Sequence, residues 1–117
     1  MNNDELRRRT KAFAIGIIRL VESLPNDRTG QILGNQLLRC GTSVGANYRA
    51  ACRAKSVADF ISKMGTVEEE ADESMYWMEL LIESNLVPEP AVKALYREAD
   101  EIVAMTVASI LTARKRK

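Results

Sequence analysis

The chain has 117 residues, and its 17 Lys and Arg against 16 Asp and Glu leave a formal net charge of only +1. This length fits one domain with one core, and 46% hydrophobic residues with six glycines and three prolines exclude a disordered or fibrous chain. The sequence has no histidine, which removes the commonest general base and the commonest transition-metal ligand. We therefore predict one domain over residues 1–117, with no catalytic residues, no metal and no cofactor.

The apolar segments are too short to cross a membrane. Arg19 interrupts the run that starts at Ala12, well before the roughly 20 apolar residues of a spanning helix, and the N-terminus lacks a signal-peptide pattern. Cys40 and Cys52 fall on one predicted helix, about 18 Å apart along its axis, so they cannot pair with each other. We expect unpaired cysteines, buried as small apolar residues, in a cytoplasmic protein with no membrane partner.

Helical periodicity runs through the whole chain. A first helix ends before Pro25, and its apolar residues recur at threes, fours and sevens: Leu6, Phe13, Ile17, Leu20 and Leu24. A second helix from about Thr29 to Ala54 has two stripes, one apolar with Ile32, Leu37, Val44, Tyr48 and Ala51, the other with Gln36, Cys40, Ser43 and Asn47. Its glycines weaken helix propensity, so we expect them to permit close helix approach.

Two further helices follow. Ser56 and Asp59 form an approximate capping box, with Asp in place of the usual Glu or Gln. They start a third helix that runs to about Asn85 and buries Phe60, Met64, Val67, Ala71, Met78 and Ile82. Pro88 and Pro90 suit the first turn of a fourth helix, which carries Val92, Leu95, Ala99, Ile102, Met105 and Ile110. Four helices with short loops predict an all-α, antiparallel up-down-up-down four-helix bundle.

This topology gathers charge at one end of the bundle, because helix one begins there, helix two meets helix three there, and helix four ends there. We call this end the basic pole; it carries twelve cations against Asp4, Glu5 and Asp59. The predicted nucleic-acid contacts are Arg7, Arg8, Arg9, Lys11, Arg49, Arg53, Lys55, Arg114, Lys115, Arg116 and Lys117, with Lys63 completing the pole. Such a cluster can hold phosphates. Alternatively, the terminal cations complement the dipole of helix four, although this does not account for Arg7 to Arg9 at a helix start.

The acidic residues of helix three have a simpler interpretation than a metal site. Glu70 and Glu73 have the spacing of half a di-iron motif, but that motif also needs histidine. The run 68–73 predicts a solvated face with ion pairs to Arg39, Arg49 or Arg53 on helix two. We predict an interhelical polar network rather than an active-site row, because buried polar groups need partners; its members are Gln36, Arg39, Ser43, Asn47, Glu70 and Glu73.

Large residues crowd the second half of helix three. Met75, Tyr76, Trp77 and Met78 are consecutive, and one core stripe accepts only about half of them. Aromatic residues and Met are enriched in protein interfaces. We therefore predict a homo-oligomer interface at Met75, Tyr76 and Trp77.

The segment from Gln36 to Leu81 resembles the signature of the four helix bundle protein family, the 23S rRNA intervening sequence proteins. The most specific matches are Gln36, Leu37, Arg39, Ser43, Asn47, Arg53, Ser56, Asp59, Phe60, Lys63, Glu70, Ala71, Glu73, Tyr76 and Trp77. The resemblance implies a cytoplasmic, bacterial bundle that assembles into a ring, commonly a pentamer. It extends distantly to the accessory protein of diversity-generating retroelements, which is similar to a basic barrel that binds nucleic acid and a reverse transcriptase. This chain departs from that relative in its near-neutral charge. It also has Glu69, Asp72 and Met75 at positions where members of the family often carry basic or other polar residues.

Two functions remain open from the sequence. The first is a non-enzymatic homo-oligomer that contacts RNA or DNA, or a nucleoprotein, through the basic pole. The alternative is a protein–protein adaptor or scaffold that binds an unidentified protein partner and no nucleic acid. Salt dependence separates them, because phosphate contacts release counterions.

Overall fold

Four long helices account for most of the molecule, as the sequence predicts. The computed structural model describes residues 3–116, so Lys117 lies outside the described residues. The helices are α1 (Asn3–Glu22), α2 (Arg28–Cys52), α3 (Val57–Glu83) and α4 (Lys93–Arg114), with a 3₁₀ turn at Glu89–Ala91 before α4. The predicted all-α four-helix fold is confirmed.

Two side chains cap the starts of α2 and α3. Asp27 accepts the backbone N–H of Gly30 at 2.7 Å, and Ser56 accepts that of Asp59 at 3.0 Å. Asp59 accepts the backbone N–H of Lys55 at 3.1 Å, one residue before the N-cap N–H that closes the usual capping box. The predicted start of α3 is therefore confirmed.

The end of α3 is a Schellman motif, and it explains why the helix stops before Pro88. Asn85 has a φ of 64°, a left-handed conformation that Asn tolerates better than most residues. The N–H of Leu86 donates to the carbonyl of Leu81, and that of Asn85 donates to Ile82. The helix ends at Glu83, two residues earlier than predicted.

The prolines lie before the fourth helix rather than in its first turn. Pro88 is extended and precedes the 3₁₀ turn that contains Pro90. The α-helix itself begins at Lys93, and Val92 at its N-cap makes no side-chain capping bond. Proline lacks a backbone N–H and restricts the residue before it, so two prolines in three residues favour a short turn over an α-helical start.

The helices are antiparallel neighbours. Gly45 of α2 approaches Thr10, Gly41 approaches Ile17, and Gly34 approaches Leu24, so residue numbers rise on α1 as they fall on α2. Helix α2 packs against both α1 and α3, and α3 packs against α4. The contact between α1 and α4 is much smaller than these three. The bundle measures 48 × 21 × 20 Å.

One apolar core runs along the bundle and contains Leu6, Phe13, Ile17, Leu37, Val44, Met64, Met78 and Ile102. One predicted core residue is wrong, because Ile32 is 52% exposed. It lies two positions from the buried Gly30 and Gly34, and a spacing of two points to the opposite side of a helix. No helix in the described part of the chain is long and apolar enough to cross a membrane.

Candidate nucleic-acid interface

The basic pole encloses a groove. The end of α2, the turn into α3 and the end of α4 border an open groove with a volume of about 610 Å³, which we call the pole groove. Lys55 and Arg116 both line it, together with Ala51, Cys52, Phe60 and Ala108. The exposed Arg53, Arg114 and Lys115 lie in the same chain segments.

The start of α1 lies beside the end of α2. Both Asp4 and Arg7 act electrostatically on the phenol of Tyr48, one turn before α2 ends. Burial, followed by a hydrogen bond with Cys52, raises the pKa of Tyr48. The side chains of Arg7, Arg8, Lys11 and Arg49 are exposed, so they are accessible to a phosphate.

Lys63 is engaged within the pole. Its ammonium lies 2.7 Å from both carboxylate oxygens of Asp59, and this contact, followed by the N–H of Lys55, holds the pKa of Asp59 below its usual range. The pair spans one turn of α3 at a spacing of four residues. Lys63 therefore adds less free positive charge to the pole than the sequence indicates.

Arg9 requires a correction, because the structure gives it a different partner from phosphate. Its guanidinium donates two hydrogen bonds to Glu98 of α4, at 2.9 and 2.7 Å, and a third to Glu101 at 2.7 Å. The carboxylates raise the pKa of Arg9. A forked arginine–carboxylate contact is among the stronger charged hydrogen bonds, so Arg9 joins α1 to α4.

The predicted interhelical polar network is corrected for α2. Arg39 donates to Gln36 at 3.0 Å, Ser43 donates to the carbonyl of Arg39 at 2.7 Å, and Asn47 donates to that of Ser43 at 2.9 Å. These bonds stay within α2. Short polar side chains on a helix often bond to the carbonyl four residues earlier, and sequence spacing does not distinguish that choice from a neighbouring helix.

The hydrogen bond that crosses from α3 to this stripe involves a different pair. The hydroxyl of Ser74, which is fully buried, lies 3.3 Å from the Cys40 sulfur. The same hydroxyl donates to the carbonyl of Glu70 at 2.8 Å. Cys40 is buried as predicted, whereas Cys52 is only half-buried, and neither cysteine forms a disulfide in the described part of the chain.

Cys40 also lies close enough to two glutamates of α3 to make a group of three possible metal ligands. The sulfur of Cys40 and one carboxylate oxygen each of Glu70 and Glu73 lie within 4.8 Å of one another. Burial raises the pKa of Cys40 and is also the main cause of the raised pKa of Glu70, followed by the charge of Glu73. A metal ion would require these groups to lose their protons. The positive charge of Arg39 is close enough to act on Glu70, and it would repel a cation bound there.

The acidic run of α3 does not make the predicted ion pairs to α2. Within the described residues, none of its carboxylates lies within salt-bridge distance of Arg39, Arg49 or Arg53. One oxygen of Glu70 is buried without a hydrogen-bond partner. The ion pairs between helices are instead those of Arg9 across α1 and α4.

The four consecutive large residues of α3 differ in burial, because one face of a helix cannot bury all four. Met78 is fully buried, Met75 and Trp77 are half-buried, and Tyr76 is 54% exposed. The Tyr76 and Trp77 rings meet edge to face with centroids 5.2 Å apart. The indole N–H of Trp77 is buried, and no acceptor in the described part of the chain reaches it.

Comparison with known proteins assigns the family. The family model described as 23S rRNA-intervening sequence protein matches residues 3–108. The chain belongs to that family. The structure is similar to the crystal structure of a protein of unknown function from the S23 ribosomal protein family of Bacteroides thetaiotaomicron. The two share 34% identity with a TM-score of 0.87, over 94% of this chain and 98% of the other. No curated protein matches the chain significantly.

The sequence did not predict the pole groove. It assigned Phe60 to the core and Cys52 to the buried cysteines, whereas both are half-buried and line the groove. A run of small residues near the end of α4, at Ala108 and Ser109, is the available signal. Small residues on a helix are compatible either with close packing of a neighbouring helix or with an open groove, and the sequence alone does not distinguish the two.

Proposed function

We propose that this protein is a non-enzymatic, self-associating bundle that contacts nucleic acid through its basic pole. The observation that supports the nucleic-acid contact is the convergence of Lys55 and Arg116 on one groove. Three further cations, Arg53, Arg114 and Lys115, are exposed in the adjoining segments. Exposed cations of this kind can bind phosphates, with release of the counterions of the nucleic acid.

The contact is to the backbone of the nucleic acid and is largely independent of its sequence. Phosphate contacts fix position and orientation, whereas sequence is read from base edges. If several copies assemble with their poles on one face, weak single contacts add through effective concentration. The expected behaviour is salt-sensitive binding that is similar for different sequences.

The test compares the two ends of the molecule. Lys55, Arg114, Lys115 and Arg116 are changed together to Glu, while Arg9 is kept because it holds α1 to α4. The control changes Lys93 and Arg97 to Glu, since these cations line a groove among acids elsewhere on the molecule. We expect the pole variant to lose binding to labelled RNA at low salt and the control to keep it. Equal binding by both variants would contradict the proposal, and absence of any salt-dependent binding by the wild type would favour the adaptor function.

Self-association is supported by the aromatic pair of α3. Tyr76 is 54% exposed, and its ring meets that of the half-buried Trp77 edge to face. Aromatic residues are enriched in protein interfaces, so burial of Tyr76 against a neighbouring copy would be stabilising. The family resemblance implies a ring, commonly of five copies.

Light scattering tests this part. The wild type should have a mass several times 13.1 kDa, and Tyr76→Glu should shift it toward the monomer. Ile32→Ser is the matched control, because Ile32 is 52% exposed on another helix. A monomeric wild type at tens of micromolar would contradict self-association without affecting the nucleic-acid test.

A further inference from the structure

The pole groove is a concave site with an aromatic wall, in contrast to a plain cationic surface. Its volume of about 610 Å³ lies within the roughly 300–1,000 Å³ range of sites that enclose small molecules. The small side chains of Ala51, Ala108 and Ser109 line the space between α2 and α4. Phe60 lines it from the first turn of α3 and is half-buried.

The groove combines two recognition elements. Lys55 and Arg116 supply positive charge, and Phe60 supplies a ring that lies within the same lining. Single-stranded nucleic acids are bound by this combination, because cations follow the phosphates while bases stack on aromatic rings. A duplex keeps its bases stacked on one another, so none is free to stack on an aromatic side chain.

We propose that the pole groove receives one unpaired nucleotide of a single-stranded nucleic acid, with its base against Phe60 and its phosphates on Lys55 and Arg116. This inference rests on the proposed nucleic-acid contact and narrows it to single strands. Negative charge on the ligand is required by the two cations. A flat base is favoured because the helices leave a groove between them rather than a closed, round cavity.

Cys52 provides a reporter inside the groove. It is half-buried, unpaired and part of the lining, whereas Cys40 is fully buried. An occupied groove therefore shields the Cys52 thiol from a small alkylating reagent. The rate of modification by N-ethylmaleimide, followed by mass spectrometry, measures occupancy of the groove itself rather than binding anywhere on the pole.

The experiment uses oligo(U), an RNA duplex with the same number of phosphates, and uridine monophosphate at equal nucleotide concentration, all at low salt. Saturating oligo(U) should slow the modification of Cys52 several-fold. The duplex should bind and leave the rate unchanged. Protection by uridine monophosphate equal to that by oligo(U) would overturn the assignment to a strand, in favour of a free nucleotide.

Two variants test the groove independently of the cysteine. Phe60→Leu keeps an apolar side chain and removes the ring, and it should weaken oligo(U) binding about tenfold while duplex binding stays the same. Because Phe60 also packs against the core, a second variant avoids that contact. Ala108→Leu fills the groove from an exposed position and should weaken oligo(U) binding similarly. Its control is Ala104→Leu, one turn earlier and equally exposed but outside the lining.

The possible results distinguish the groove assignment from the proposed nucleic-acid contact of the basic pole. If oligo(U) binds in a salt-dependent manner, yet Cys52 stays reactive and both groove variants bind normally, the groove assignment is wrong and the basic-pole contact stands. If neither RNA binds the wild type at low salt, both are wrong.

Discussion

The two sides of α2 pack against their neighbouring helices in different ways, one through close backbone approach and the other through polar side chains. Toward α1, Gly41 lets the helices approach so closely that an added Cβ would lie 2.9 Å from both Cγ atoms of Ile17. Toward α3, Cys40 and Ser74 form a buried polar contact, next to the half-buried Glu70. The α1 side therefore depends on shape and the α3 side on protonation, so the same helix should respond to volume changes on one side and to pH on the other.

The largest effect should come from filling the α1 side. Gly41→Leu should lower the free energy of unfolding by about 3 kcal/mol, because overpacking of a closely packed core is destabilising. Gly65→Leu is the matched control, since nothing lies within 4 Å of an added Cβ there and Leu has the higher helix propensity. Urea denaturation measures both. Equal stability of the two variants would contradict the assignment of Gly41 to a tight helix contact.

A smaller effect, dependent on pH, is expected on the α3 side. Burial raises the pKa of Glu70 above its usual 4.5, so the folded state holds its proton to higher pH than the unfolded state. The wild type should lose stability as pH rises from the usual value through the raised one. Glu70→Gln cannot ionise, so it should be more stable above this window, by about 1 kcal/mol or less because the carboxyl is partly solvated.

Denaturation at several pH values measures this difference, and Glu69→Gln provides an exposed control on the same helix. The two Gln variants should diverge as pH rises. Parallel profiles would show that Glu70 carries no burial penalty.

The smallest effect is expected at Asn47, whose amide donates to the carbonyl of Ser43 in its own helix. Asn47→Leu should change stability by no more than about 0.5 kcal/mol, because no bond between helices is lost. A loss of about 1 kcal/mol or more, measured by the same denaturation assay, would restore the interhelical network that the sequence predicts.

The sequence predicted well those features that depend on periodicity and local capping. Ser56 begins α3 as predicted, and the glycines of α2 permit close approach. The sequence did not predict hydrogen-bond partners where a side chain has more than one within reach. A polar stripe specifies a face of a helix, but Ser43 can bond to its own helix or to a neighbouring helix from the same face. The contact of Arg9 with Glu98 joins residues 89 positions apart, so no local pattern announces it. The pole groove escaped prediction for a related reason, since it depends on where three separate segments meet.

If the protein binds nucleic acid as proposed, the length of the bundle affects how the two molecules approach each other. Lys55 and Arg116 lie at the basic pole, while Glu79, Glu83, Glu89 and Asp100 surround another groove, and the molecule is 48 Å long. Such a separation of charge would turn the protein in the field of an approaching strand before contact is made. Productive encounters should therefore occur end-on, and added salt should slow association more than it speeds dissociation.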